Sequence, residues 1–75
     1  MEKEEIVRFI QGLQKKHGNE FSLKIKYLTN AGKTGKRHGR FVGVEGDKEL
    51  VLLNQNKGTT GRYLIERVFE IERMV

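Results

Sequence analysis

The sequence predicts a mainly β domain with one N-terminal helix, and three observations carry that expectation. Ile6, Phe9, Ile10 and Leu13 recur at i, i+3, i+4 and i+7, which gathers them on one helical stripe. Phe21, Leu23, Ile25 and Tyr27 alternate with Ser22, Lys24 and Lys26, the period of a half-buried strand. Short apolar runs follow at 41–44 and 50–53, separated by a glycine-containing turn signal. The 75 residues form one domain, 1–75, near the lower size at which a core sustains itself.

Composition narrows the function. Hydrophobic residues make up 36% and charged residues 33%, a globular balance with room for only a small core. The absence of cysteine removes disulfides and thiolate zinc sites, which leaves self-association as one route to extra stability. Fifteen basic residues against 10 acidic ones give +5, a charge suited to nucleic acid or another polyanion. No stretch has the apolar length of a membrane span, and Met1-Glu2-Lys3-Glu4-Glu5 is too acidic for a signal peptide. The expectation is a soluble cytoplasmic protein with no membrane partner.

The helix begins among Glu2, Glu4 and Glu5 and ends among Lys15, Lys16 and His17, each group complementing the helix dipole. Val7 edges its stripe, Gly12 weakens it by about 1 kcal/mol relative to alanine, and Gly18-Asn19 stops it. The first strand covers 21–27. A glycine-punctuated basic loop follows at 30–40, then a second strand at 41–44. Gly46-Asp47 closes a tight turn before the third strand at 50–53. Both of these strands are apolar on both faces, so both faces are covered. The helix accounts for that cover, and a neighbouring subunit is permitted without being required.

Residues 54–61 read as a polar loop. From Arg62 onward two periods compete: Phe69 and Ile71 alternate with Glu70 and Glu72, while Leu64, Val68, Ile71 and Val75 sit at helical spacing. Two short strands broken near Glu66-Arg67 are preferred, and a C-terminal helix, which would make the fold α+β, is the alternative.

The basic stretch Asn30–Arg40 carries the functional expectation. No acidic residue occurs between Glu20 and Glu45, whereas Lys24, Lys26, Lys33, Lys36, Arg37 and Arg40 all fall in that window. Lys33, Lys36, Arg37 and Arg40 are expected to position phosphates, with Lys24, Lys26, Lys57 and Arg62 extending the track and His38 donating when protonated. The partner is then nucleic acid, RNA ahead of DNA, read mainly through its backbone with low sequence specificity. Tyr27 or Phe41 is a candidate for base stacking, weighed against ordinary core packing. The competing function is a protein-interaction or assembly module, with a homo-oligomer permitted.

Catalysis is poorly supplied. With one serine, no cysteine and two distant histidines, no nucleophile–base–orienter set is on offer, and no small-molecule substrate or cofactor is implied. Glu45, Asp47 and Glu49 read as a solvated turn interrupted by Lys48 rather than a cation site, so no metal is expected. Gly32-Lys33-Thr34 imitates the end of a P-loop, but Tyr27 stands where that motif needs glycine and no helix follows.

A helix followed by about five short strands resembles the layout of small SH3-like barrels, and specifically the Sm-like RNA-binding family. Gly39-Arg40-Phe41-Val42-Gly43-Val44-Glu45 and Leu50-Val51-Leu52-Leu53 resemble that family's second and third strands. The resemblance implies a strongly bent five-stranded barrel, with Gly39 at the bend and Glu45 where aspartate is usual. The family's RNA-contacting asparagine corresponds to Glu49, its second motif is at best Ile65-Glu66-Arg67, and the bacterial lysine–histidine pair is absent. The family's pocket is therefore not carried over. Gly32-Lys33-Thr34-Gly35-Lys36 is also similar to part of a KOW-type loop.

Overall fold

The computed structural model of the protein describes residues 2–74. Helix α1 (Lys3–His17) precedes strands β1 (Ser22–Leu28), β2 (Thr34–Glu45), β3 (Glu49–Asn54), β4 (Thr59–Leu64) and β5 (Val68–Met74), with a 3-10 turn at Ile65–Arg67. The strands form one sheet in the order β4-β3-β2-β1-β5, every neighbouring pair antiparallel. The sheet is open. β4 and β5 occupy its two edges, and no ladder joins them among the described residues. A mainly β domain with one N-terminal helix is what the chain forms. The helical alternative for the C-terminus gives way to two strands broken at Ile65–Arg67. Val75 lies outside the described residues.

The helix forms as its spacing predicts. Ile6 and Ile10 are fully buried, and Val7, Phe9 and Leu13 pack around them. At its start the Glu5 carboxylate accepts the Glu2 N–H at 3.3 Å, and at its end the Gly18 N–H donates to the Gln14 carbonyl at 2.9 Å. Gly12 has no packing reason to be glycine, because a Cβ there would meet nothing within 4 Å. Replacing it with alanine should therefore stabilise the domain by about 1 kcal/mol. Thermal unfolding should report this as a rise of roughly 4–8 °C.

The core lies between α1 and the inward face of the sheet. Leu23, Ile25, Phe41, Leu50, Leu52, Ile65, Val68 and Ile71 are all buried with Ile6 and Ile10. Phe21 stacks on Phe41 with ring centroids 4.7 Å apart, an offset pair contributing about 1 kcal/mol beyond area. The Gly46-Asp47 turn is of the mirror-image hairpin type, with φ of 58° and 54°, and the Lys48 N–H donates to the Glu45 carbonyl at 3.0 Å. The 3-10 turn ties to that hairpin, its Ile65 N–H donating to the Lys48 carbonyl at 2.8 Å. This leaves Val68 and Ile71 of β5 facing the core.

Two expected loops turn out to be largely strand. Only residues 29–33 turn between β1 and β2; Thr34–Arg40 is ladder, paired with β1 from Leu28↔Thr34 to Ser22↔Arg40. Likewise Thr59–Gly61 belongs to β4, facing Asn54, Leu53 and Leu52. In both cases the inward positions are small or charged. Register turns position 35 inward, and glycine suits it because the Tyr27 ring occupies the side-chain space, a Cβ there falling 2.6 Å from that ring. At Gly61 the Tyr63 ring does the same.

Candidate nucleic-acid interface

Strand alternation sorts the basic residues by face. Lys36, His38 and Arg40 share the outward face of β2, since each stands opposite an outward residue of β1: Lys26, Lys24 and Ser22. Successive members of this row are separated by two strand residues, roughly 7 Å. Lys33 stands outside this alternating row, in the β1–β2 turn beyond its Lys36 end, where its backbone N–H donates to the Thr29 hydroxyl at 3.1 Å. All four side chains are exposed, and no carboxylate lies within ion-pair distance of them among the described residues.

The next strands carry compensating charge. On β5, Glu70 and Glu72 stand opposite Lys26 and Lys24, and the pairs close at 2.8 Å and 3.8 Å. The hydrogen bond from Lys26, followed by its charge, holds the Glu70 carboxyl below the usual carboxylate range. The same bond raises the Lys26 amine. A depressed carboxylate contributes stability above its unfolded-state value and loses it as pH falls through the folded one. Both side chains are well exposed, so the contribution is small. Lys24 and Lys26 thus reach the outward face with their charge already balanced.

Arg62 is placed elsewhere than expected. It lies on β4 opposite buried Val51, and its guanidinium engages Glu45 at the β2–β3 turn. Lys57 occupies the β3–β4 turn and is exposed; its backbone N–H donates to the Asn54 side-chain carbonyl at 3.2 Å. Because Arg40 is paired with Leu53, one position before Asn54, that turn lies at the Arg40 end of the row.

Arg37 faces the other way. Its register partner is Ile25, a core residue, and its guanidinium donates to the Lys36 carbonyl at 2.7 Å. There it acts on Tyr63, where burial pushes the phenol up and the Arg37 charge pulls it down. Tyr63 and Tyr27 meet at 5.2 Å, although β4 and β1 are separated by two strands in the sheet. The sheet therefore curves enough for these two side chains to meet across it. Together with Arg62 and Arg67 these rings line a shallow groove. Tyr63 and Arg67 were not singled out from the sequence, where only the alternation of Tyr63 with Arg62 and Leu64 marked the first of them. Of the stacking candidates, Phe41 is 2% exposed in the core, while Tyr27 keeps partial exposure.

The outward row is an open cationic track. It presents hydrogen-bond donors to an anion. No group of three or more metal-ligating side chains is gathered among the described residues, and no helix is long and apolar enough to cross a membrane. No protein-family model, curated protein or solved structure matches this chain.

Proposed function

We propose that the protein is a non-catalytic binder of single-stranded nucleic acid, RNA ahead of DNA. It acts through the phosphates and works in the cytoplasm. The observation that carries this is the row Lys36, His38 and Arg40 on the outward face of β2, with Lys33 in the turn beyond it, none of them in an ion pair among the described residues, beside neighbours that are paired. Basic side chains at two-residue spacing along an extended strand follow one sugar–phosphate backbone, releasing its counterions as they bind. Phosphate contacts fix position and carry little sequence information. Lys57 continues the track, and Arg37 does not belong to it.

The proposal includes a fold assignment. The sheet order, the 3-10 turn between the edge strands and the Tyr27–Tyr63 contact across the bend support an SH3-like, Sm-like sheet.

Fluorescence anisotropy with labelled single-stranded RNA, single-stranded DNA and duplex over a salt series tests the function. Single strands should bind more tightly than duplex, with affinity falling steeply as salt rises; binding indifferent to salt would refute phosphate recognition. Glu70→Gln with Glu72→Gln provides a sharper check. Freeing Lys26 and Lys24 should raise affinity and steepen the salt dependence by about one to two units of slope, at roughly 0.7 per phosphate. An unchanged slope would mean that the bound strand does not pass over β1.

A second function, assembly with further copies, is favoured by the two open sheet edges. β4 and β5 are the end strands of the sheet, and Leu64 and Met74 on them are 39% and 37% exposed. Light scattering decides it: an oligomer is expected if the edges pair, and a monomer at high concentration would dismiss that function.

A further inference from the structure

We infer that a cleft on the outward face, beside the Arg40 end of the cationic row, is a reading site for one unstacked nucleobase. The inference rests on the proposed strand binding and adds base discrimination to it. It is lined by Ser22 of β1, His38 of β2, Met74 of β5, and Gln55 and Asn56 of the β3–β4 turn. Its volume of about 220 Å³ exceeds what a lone ion or a single water needs and leaves room for a planar ring. A second cleft, holding Arg40 and Glu20, adjoins it and shares Ser22 and Gln55.

The chemistry of the lining differs from that of the row. Asn54 is committed to the turn, its side-chain carbonyl accepting the N–H groups of Asn56 and Lys57 at 3.0 and 3.2 Å. That leaves the amides of Gln55 and Asn56, the Ser22 hydroxyl and the His38 ring without a hydrogen-bond partner among the described residues. Amides set a donor beside an acceptor and so match the hydrogen-bonding edges of bases, which unstacked single strands expose. Met74 supplies a polarizable sulfur against which a ring packs. His38 belongs to the row as well as the cleft, so a phosphate held at Lys36–Arg40 leaves its base within reach of the amides.

The test compares 12-nucleotide RNAs of A, C and U with the wild-type protein and the Gln55→Ala, Asn56→Ala double variant. Asn54 is kept so that the turn persists. Wild type should show a spread of about 5-fold among the three, the worth of one hydrogen bond. The double variant should collapse that spread to within about 2-fold while leaving the salt slope unchanged. Equal wild-type affinities, or a spread that survives in the variant, would overturn the base site while leaving the phosphate contacts standing. If wild type binds none of the three, the strand-binding proposal itself has failed. Nucleosides, which lack phosphate, then decide the cleft alone. Backbone NMR shifts at Ser22, Gln55 and Asn56 on titration would support it, and unmoved signals would overturn it.

Discussion

Replacing Lys33, Lys36 and Arg40 together with alanine should weaken single-stranded RNA binding at least about 100-fold near 0.1 M salt. Each removed side chain deletes a charge-assisted hydrogen bond of about 1.5–3 kcal/mol, discounted here for exposure. The salt slope should shrink by about two units, since single strands contribute about 0.7 per phosphate. The control is the alternate position. Arg37→Ala removes one positive charge, as each of those three substitutions does, but from the opposite face of β2, opposite Ile25 and beside Tyr63. It should lower affinity no more than about 3-fold, which is a long-range field effect. If Arg37→Ala equals the loss at Lys36 or Arg40, binding follows net charge and the outward row has no special place.

Gly39→Ala should destabilise the domain by about 3 kcal/mol or more. A Cβ at Gly39 would sit 2.5 Å from the Leu53 carbonyl oxygen and 3.0 Å from its carbon, both backbone atoms of the neighbouring strand. A flexible side chain could swing aside; a paired strand must move as a body, which is the costly form of overpacking. The total stability of a 75-residue domain is only about 4–11 kcal/mol, so the loss is a large share of it. Denaturant unfolding measures the difference directly. Gly43→Ala is the internal comparison, because nothing lies within 4 Å of a Cβ there. Its effect should stay below about 1 kcal/mol. Equal losses at the two positions would mean that the close approach of β2 to β3 is not what requires Gly39.

These two experiments fall at the places where chain-level reasoning and the folded molecule differ most. The helix was legible because Ile6, Phe9, Ile10 and Leu13 repeat at its period and its ends carry the matching charges. β1 and β3 were legible through their apolar residues, and the Gly46-Asp47 turn through residues that tolerate positive φ. The break before β5 was also readable, in the way the alternation of Phe69 and Ile71 begins afresh after Glu66-Arg67. The first half of β2 was not. Its inward positions are Gly35, Arg37 and Gly39, so the apolar alternation that announces a strand is missing. The inward space is filled by the Tyr27 ring and the β3 backbone, which the sequence places far away.

The candidate site divides along the same line. A run of lysine and arginine without acid between Glu20 and Glu45 is a property of the chain alone, and so is the expectation of an anionic partner drawn from it. Which of those charges remain available is a property of the fold. Antiparallel pairing with β5 sets Glu70 and Glu72 against Lys26 and Lys24, more than 40 residues away, and pairing with β3 brings Arg62 to Glu45. Alternation then turns Arg37 inward and leaves Lys36, His38 and Arg40 in line. Local composition sets the charge a segment carries, while strand register, a long-range consequence of packing the core, sets which neighbour cancels it and which face it reaches.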